Sequence, residues 1–205
     1  MKGRTSEPAI NVPPFTLALI AANVLAFVVL ELQSDETRWA IVTTFGFLPG
    51  RYSDTAAFSI AAFIGPFSYQ FIHGDWTHLL VNMASLAAFG SGVERQIGGG
   101  TTLSVYLLCG AIAAAAHFAV YPQSVDPVIG ASGAISGLMA GVLRLLGPHR
   151  AGLIRIAIIW GIAMLALGIA GMPGGEAVQV AWVAHLGGFV GGLILFRVFV
   201  GPGQT

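Results

Sequence analysis

IGASGAISGLMAGVLRLLG, residues 129–147, is an apolar run whose one charge, Arg144, sits near its far end. A helix needs about 20 mostly apolar residues to cross a bilayer, and this run meets that length. Near its start lies Ser132, in Gly130-Ala131-Ser132-Gly133. An unpaired hydroxyl in hydrocarbon costs several kcal/mol, so a serine at the mouth of such a helix asks for a reason. His185 stands at the mouth of another apolar run, 180–200.

The whole chain shares this character. Of its 205 residues 56% are hydrophobic and only 9% charged, against roughly 25% charged in soluble domains. Mean hydropathy is +0.82. The composition is that of an all-α polytopic membrane protein. Net charge is zero, which removes any electrostatic case for nucleic acid as a partner. The single cysteine, Cys109, lies in an apolar run; it excludes an internal disulfide and reads as a packing residue.

Six segments qualify as spans: 14–32, 72–92, 101–121, 129–147, 152–171 and 180–200. Lys2 and Arg4 precede the first, as in a signal peptide, but no small-residue cleavage site follows, so it reads as a retained helix. The expected organisation is a short tail at 1–13, one membrane domain at 14–200 and a tail at 201–205. Between Gln33 and Gln70 the chain is mixed in polarity and rich in aromatics, including Trp39, Phe45, Phe58 and Phe67. Its apolar stretches, Trp39–Leu48 and Ala56–Ile64, are too short to span and read as interfacial; re-entrant turns or a seventh span are the other ways to fold it.

Basic residues set the orientation. With both termini in the cytoplasm, the inner side holds Lys2, Arg4, Arg95, Arg144, Arg150, Arg155 and Arg197, and the outer side holds only Arg38 and Arg51. In that topology Ser132 and His185 lie each about one turn in from the outer side, at nearly equal depth. His78 and Asn82 occupy the outer half of the second span. Gly133, Gly137 and Gly141 repeat every four residues, as do Gly188 and Gly192. Small residues at this spacing let helix backbones approach closely, and His185 shares a face with Gly188 and Gly192. Packing of the fourth span on the sixth would therefore bring Ser132 to His185. The glycines and Ser136 also read simply as packing residues.

His78 and Asn82 lie four apart on one helix face, and both can donate hydrogen bonds. Beside a serine at a helix N-terminus they could form an oxyanion hole, or they could serve only as polar contacts between helices. A metal site at His73 and His78 is poorly supported, with no third ligand and no His-Glu-x-x-His. His117 lies deep in the third span and reads as a packed, hydrogen-bonded histidine.

At these residues the chain resembles the rhomboid family of intramembrane serine proteases. The matching pieces are His73, His78 and Asn82, Glu94-Arg95, Gly130-Ala131-Ser132-Gly133, and Ala184-His185-x-x-Gly188-x-x-x-Gly192. The resemblance covers about 14–200 and implies a six-helix rhomboid-like bundle with a long, partly interfacial first outer loop. It implies a dyad of Ser132 as nucleophile and His185 as general base and acid, with His78, Asn82 and the Ser132 backbone N–H holding the oxyanion. It assigns His73 a structural role and implies no cofactor. The partners it implies are transmembrane protein substrates and the bilayer; the fifth span and the Met172–Gln179 loop would be gate and cap. The compact six-helix form and the lack of a transit peptide point to a bacterial plasma membrane, with an organelle membrane as the alternative. Two positions depart from the family pattern. Ser136 stands where an aromatic often packs on the histidine ring, and the first loop has Arg38-Trp39 instead of Trp-Arg. A non-proteolytic family member that binds and handles membrane helices is the alternative; a transporter would need ionisable residues near mid-membrane or broken helices in paired repeats.

Overall fold

The computed structural model describes residues 11–53, 59–145, 154–155, 158–159, 161–162 and 181–200. Among them the structure is helical, with one isolated antiparallel bridge between Phe47 and Val128. The expected fifth span at 152–171, the Met172–Gln179 loop and most of the terminal tails lie outside the described residues or are described only in fragments.

Helix α1 (Pro14–Glu31) begins with Pro14 at its first position, where the missing N–H costs nothing. No side chain of its own caps that end. Two short helices, α2 (Asp35–Phe45) and α3 (Ile60–Ser68), then fill the stretch expected to be interfacial. Each is capped by a serine: Ser34 accepts from the Thr37 N–H and Ser59 from the Ala62 N–H. Asp35 and Glu36 suit the positive end of α2, and Arg51 donates to the Thr43 and Thr44 carbonyls at its other end. Exposed Trp39, Ile60 and Phe63 give this region an apolar outer surface.

Helices α4 (Trp76–Ile97), α5 (Gly99–Val120), α6 (Ser132–Leu145) and α7 (Trp182–Phe199) form the bundle, with α7 packed on both α5 and α6 and α1 against α4. Of these helices α1, α5 and α7 are long and apolar enough to cross a membrane. Helix α6 is shorter, at 14 residues. Helix α4 has the length, 22 residues, but carries His78, Asn82, Glu94 and Arg95. Its start also differs from the expected 72. Asp75 caps the helix by accepting from the His78 N–H at 2.8 Å, so residues 72–75 are a lead-in, not a first turn.

The core runs along α1, α4, α5, α6 and α7 through Phe27, Leu79, Leu86, Tyr106, Cys109, Leu138 and Phe196. Outward-facing Leu25, Leu80, Val81, Ile194 and Val198 are exposed, as expected of helix faces that meet lipid. The interfacial segment is tied to the bundle by buried polar contacts. The Tyr69 hydroxyl donates to the Gly110 carbonyl at 2.8 Å, and Gln70 Nε2 donates to the Leu107 carbonyl at 3.3 Å. These bonds fix the chain just ahead of α4.

Candidate functional site

Ser132 is the first residue of α6, and the chain entering it is held on both sides. Phe47 and Val128 exchange backbone hydrogen bonds at 3.0 and 2.8 Å, and the Gly130 N–H donates to the Tyr69 carbonyl at 3.0 Å. Gly130 has φ of 115°, a conformation open mainly to glycine. A Cβ there would also lie 2.6 Å from His78 Nε2 and 3.7 Å from Ser132 Oγ. The missing side chain is therefore what lets the His78 ring and the Ser132 hydroxyl share one small space.

His185 occupies the first turn of α7 and is buried. Its level relative to Ser132 is set by backbone contact between α6 and α7. A Cβ on Gly188 would run into the Gly133 carbonyl, and one on Gly192 into the Gly137 carbonyl. A Cβ on Gly133 would lie 2.6 Å from Ala113 Cβ, and one on Gly137 would meet Cys109. All four glycines are thus points where helices touch with no room for a methyl group.

A cavity of about 70 Å³ lies between α4, α6 and α7, lined by Ser132, His185, Asn82, Ser85, Ser136 and Phe89 among others. That volume holds a few water molecules, since one needs roughly 10–15 Å³ measured this way. Asn82 is buried at its wall. His78 is not a wall residue of this cavity; it reaches the same neighbourhood from the Gly130 side. His73 is buried behind it, the two rings 5.0 Å apart and edge to face. The structure thus brings Ser132, His185 and Asn82 to one cavity, sets His78 beside it and keeps His73 out of it.

Ser136 is buried one turn along from Ser132, and its Oγ donates to the Ser132 carbonyl at 2.6 Å. Ser136 also lines the cavity. His117 differs from expectation. It stands in the last turn of α5, not deep in the span, and packs on Tyr121 with ring centres 5.0 Å apart.

Sequence reasoning attached no partner to Glu94. In the structure its carboxylate accepts from the Phe15 N–H at 3.1 Å, the Thr16 N–H at 2.7 Å and the Thr16 hydroxyl at 2.7 Å. It is the cap that α1 lacks. An acid within an apolar run, together with Pro13-Pro14 at the start of the first span with no Ser, Thr, Asp or Asn just ahead of it but Asn11, was the available signal.

The rhomboid domain profile matches residues 61–202. The chain belongs to the rhomboid family. Relatives include the rhomboid protease GluP of Bacillus subtilis, 28% identical over 181 residues that make up 88% of this chain and 34% of that protein. Another is the mitochondrial Rhomboid protein 1 of Saccharomyces cerevisiae, 28% identical over 204 residues, 90% of this chain and 56% of that one. RHOMBOID-like protein 4 of Arabidopsis thaliana is 31% identical over 140 residues, 66% of this chain and 34% of its own length. The chain thus spans between a third and just over half of these relatives. Rhomboid membership and the apolar helices identify an integral membrane protein of a family that includes named proteases.

Proposed function

We propose that this rhomboid protein is an intramembrane serine endopeptidase that cleaves membrane-protein substrates in or beside their transmembrane segments. The observation that carries the reading is one cavity shared by Ser132, His185 and Asn82 within the helix bundle. In this reading the domain is a six-helix bundle over 14–200, the fifth span included, with short cytoplasmic tails at 1–13 and 201–205. The cavity opens to the outer face of a bacterial plasma membrane, and the fifth span and the loop after it act as gate and cap.

Ser132 gives its proton to His185 as it attacks the scissile carbonyl. The carbonyl oxygen gains negative charge in the tetrahedral intermediate. His78, Asn82 and the Ser132 N–H are the donors for it, and prealigned donors of this kind stabilise a developing oxyanion without reorganising. His185 returns the proton to the leaving amine, and the acyl group passes to a water activated in the same way. A cavity with room for a few waters supports that second half of the cycle. The substrate must present an unwound stretch, because a helical segment keeps its carbonyls hydrogen-bonded.

The test compares wild type, Ser132→Ala and His185→Ala, each purified and folded, on a membrane-spanning test substrate. Both variants are expected to lose cleavage, and a fluorophosphonate is expected to label Ser132 only while His185 is present. Undiminished cleavage by either variant overturns the dyad. Substrate capture with no turnover by the wild type would favour a protein that binds and handles membrane helices.

A further inference from the structure

Three helices meet beside the candidate dyad. Gly133 of α6 faces Ala113 of α5, and a Cβ on it would lie 3.6 Å from the Ala184 carbonyl of α7. Gly187 of α7 in turn abuts Ala113 and Ala116. Ser132 and His185 are the chain neighbours of Gly133 and Ala184. One helical turn on from Ala113, toward the end of α5 that shares their level, the same face carries His117.

His117 is 8% exposed, and its Nδ1 is buried without a hydrogen-bond partner among the described residues. Leaving such a nitrogen unpaired costs about 1–3 kcal/mol, and an apolar side chain of similar size would avoid the cost. Its ring packs on Tyr121, which limits how it can turn. We propose that His117 is a positioning residue: its imidazole holds the His185 ring in line with Ser132 from the α5 side. This role rests on the protease reading above.

A neutral imidazole offers one N–H and one lone pair. When His185 takes the Ser132 proton it becomes an imidazolium, with an N–H on each nitrogen. One of these is spent on the reacting oxygen or the leaving amine. His117 offers a lone pair to the other, directly or through one water, without itself taking the proton. Ala113, one turn before His117, and Ala184, the chain neighbour of His185, meet at Gly133, which sets the two histidines on adjoining turns of α5 and α7. The position that often carries an aromatic against the histidine ring holds Ser136 here, and its hydroxyl is given to the Ser132 carbonyl, so α6 offers no aromatic face at that position.

The experiment measures kcat and KM on a cleavable transmembrane substrate for wild type, His117→Leu and His117→Gln, with Ser132→Ala as control. His117→Leu is expected to lower kcat roughly ten- to a hundredfold, less than the 10²–10⁴ contributed by a general base itself, with KM within about twofold. His117→Gln keeps a donor and an acceptor and is expected to recover most of the loss. Fluorophosphonate labelling of Ser132 should slow in parallel with kcat, since the same histidine activates the serine. His117→Ala replaces the leucine variant if that does not fold. Wild-type kcat in a folded apolar variant, with Ser132→Ala inactive, overturns the positioning role and leaves the protease reading intact. An equal fall in the glutamine and apolar variants, tracking lost thermal stability, also overturns it, because that is a packing role. Active Ser132→Ala overturns both.

Discussion

The two ends of α4 carry polar residues for opposite reasons. At the C-terminal end Glu94 is engaged within the fold: two backbone N–H groups and one hydroxyl of α1 converge on its carboxylate. Next to it, Arg95 donates to the Asn11 carbonyl just ahead of α1. At the other end Asp75 caps the helix, but Asn82 faces a cavity and His78 points to the space left by a missing side chain. The difference separates structure from chemistry in an apolar chain. A buried polar group whose bonds are all made within the fold holds the fold together. One that borders water-sized space is available to something that arrives later.

Exchanging losses between the two ends tests that contrast. The largest effect on activity is expected at Asn82. Asn82→Ala should lower kcat about 10²–10³-fold, the usual cost of one oxyanion donor, while moving the unfolding midpoint in detergent very little. If stability falls and the folded fraction cleaves normally, Asn82 belongs with Glu94. Glu94→Leu should do the reverse. It strands three donors at the start of α1, for a stability loss of about 3 kcal/mol or more, with near-normal turnover per folded molecule. A catalytic defect without unfolding would break the contrast from the other side.

Gly188→Ala comes next, because it acts on both properties. The added methyl meets the Gly133 carbonyl, next to Ser132. Overpacking of this kind costs about 1–3 kcal/mol, and here it also separates the helices bearing Ser132 and His185. Thermal unfolding and kcat should therefore fall together; loss of stability alone would show that the interface relaxes elsewhere. The smallest effect is expected at Ser136→Ala. It removes one bond to the Ser132 carbonyl, worth about 1 kcal/mol or less, and should change kcat only a few-fold. A hundredfold loss would move Ser136 into the catalytic group.

Much of the bundle was legible because its signals are local. A run of apolar residues long enough to cross hydrocarbon must satisfy its own backbone, which makes it a helix; α1, α5 and α7 follow from that alone. The glycine spacing was equally readable, since a four-residue repeat falls on one helix face whatever the neighbours are. The start of α4 was not: a hydropathy window runs over Ile72, His73, Gly74 and Asp75 without a break, and only the Asp75 cap fixes the first helical turn. The bounds of α5 were legible, the expected 101–121 standing against the observed Gly99–Val120, and those bounds by themselves put His117 within about a turn of the helix end.

By itself the sequence determined an all-helical membrane protein of the rhomboid family and supplied the serine, the histidines, the asparagine and the glycines on the right faces. Periodicity and hydropathy are properties of a single segment, so no partner is needed to read them. Only the tertiary structure decided which polar groups are used up and which are left over. It gave Glu94 to α1, put Asn82 on a cavity wall and set Ala113, one turn before His117, at the junction of α5, α6 and α7. Those are relations between segments 15 to 80 or so residues apart, roughly the spans that separate Thr16 from Glu94 and His117 from Ser132. In hydrocarbon, where no water is present to complete an unmet bond, such relations decide what each polar residue does.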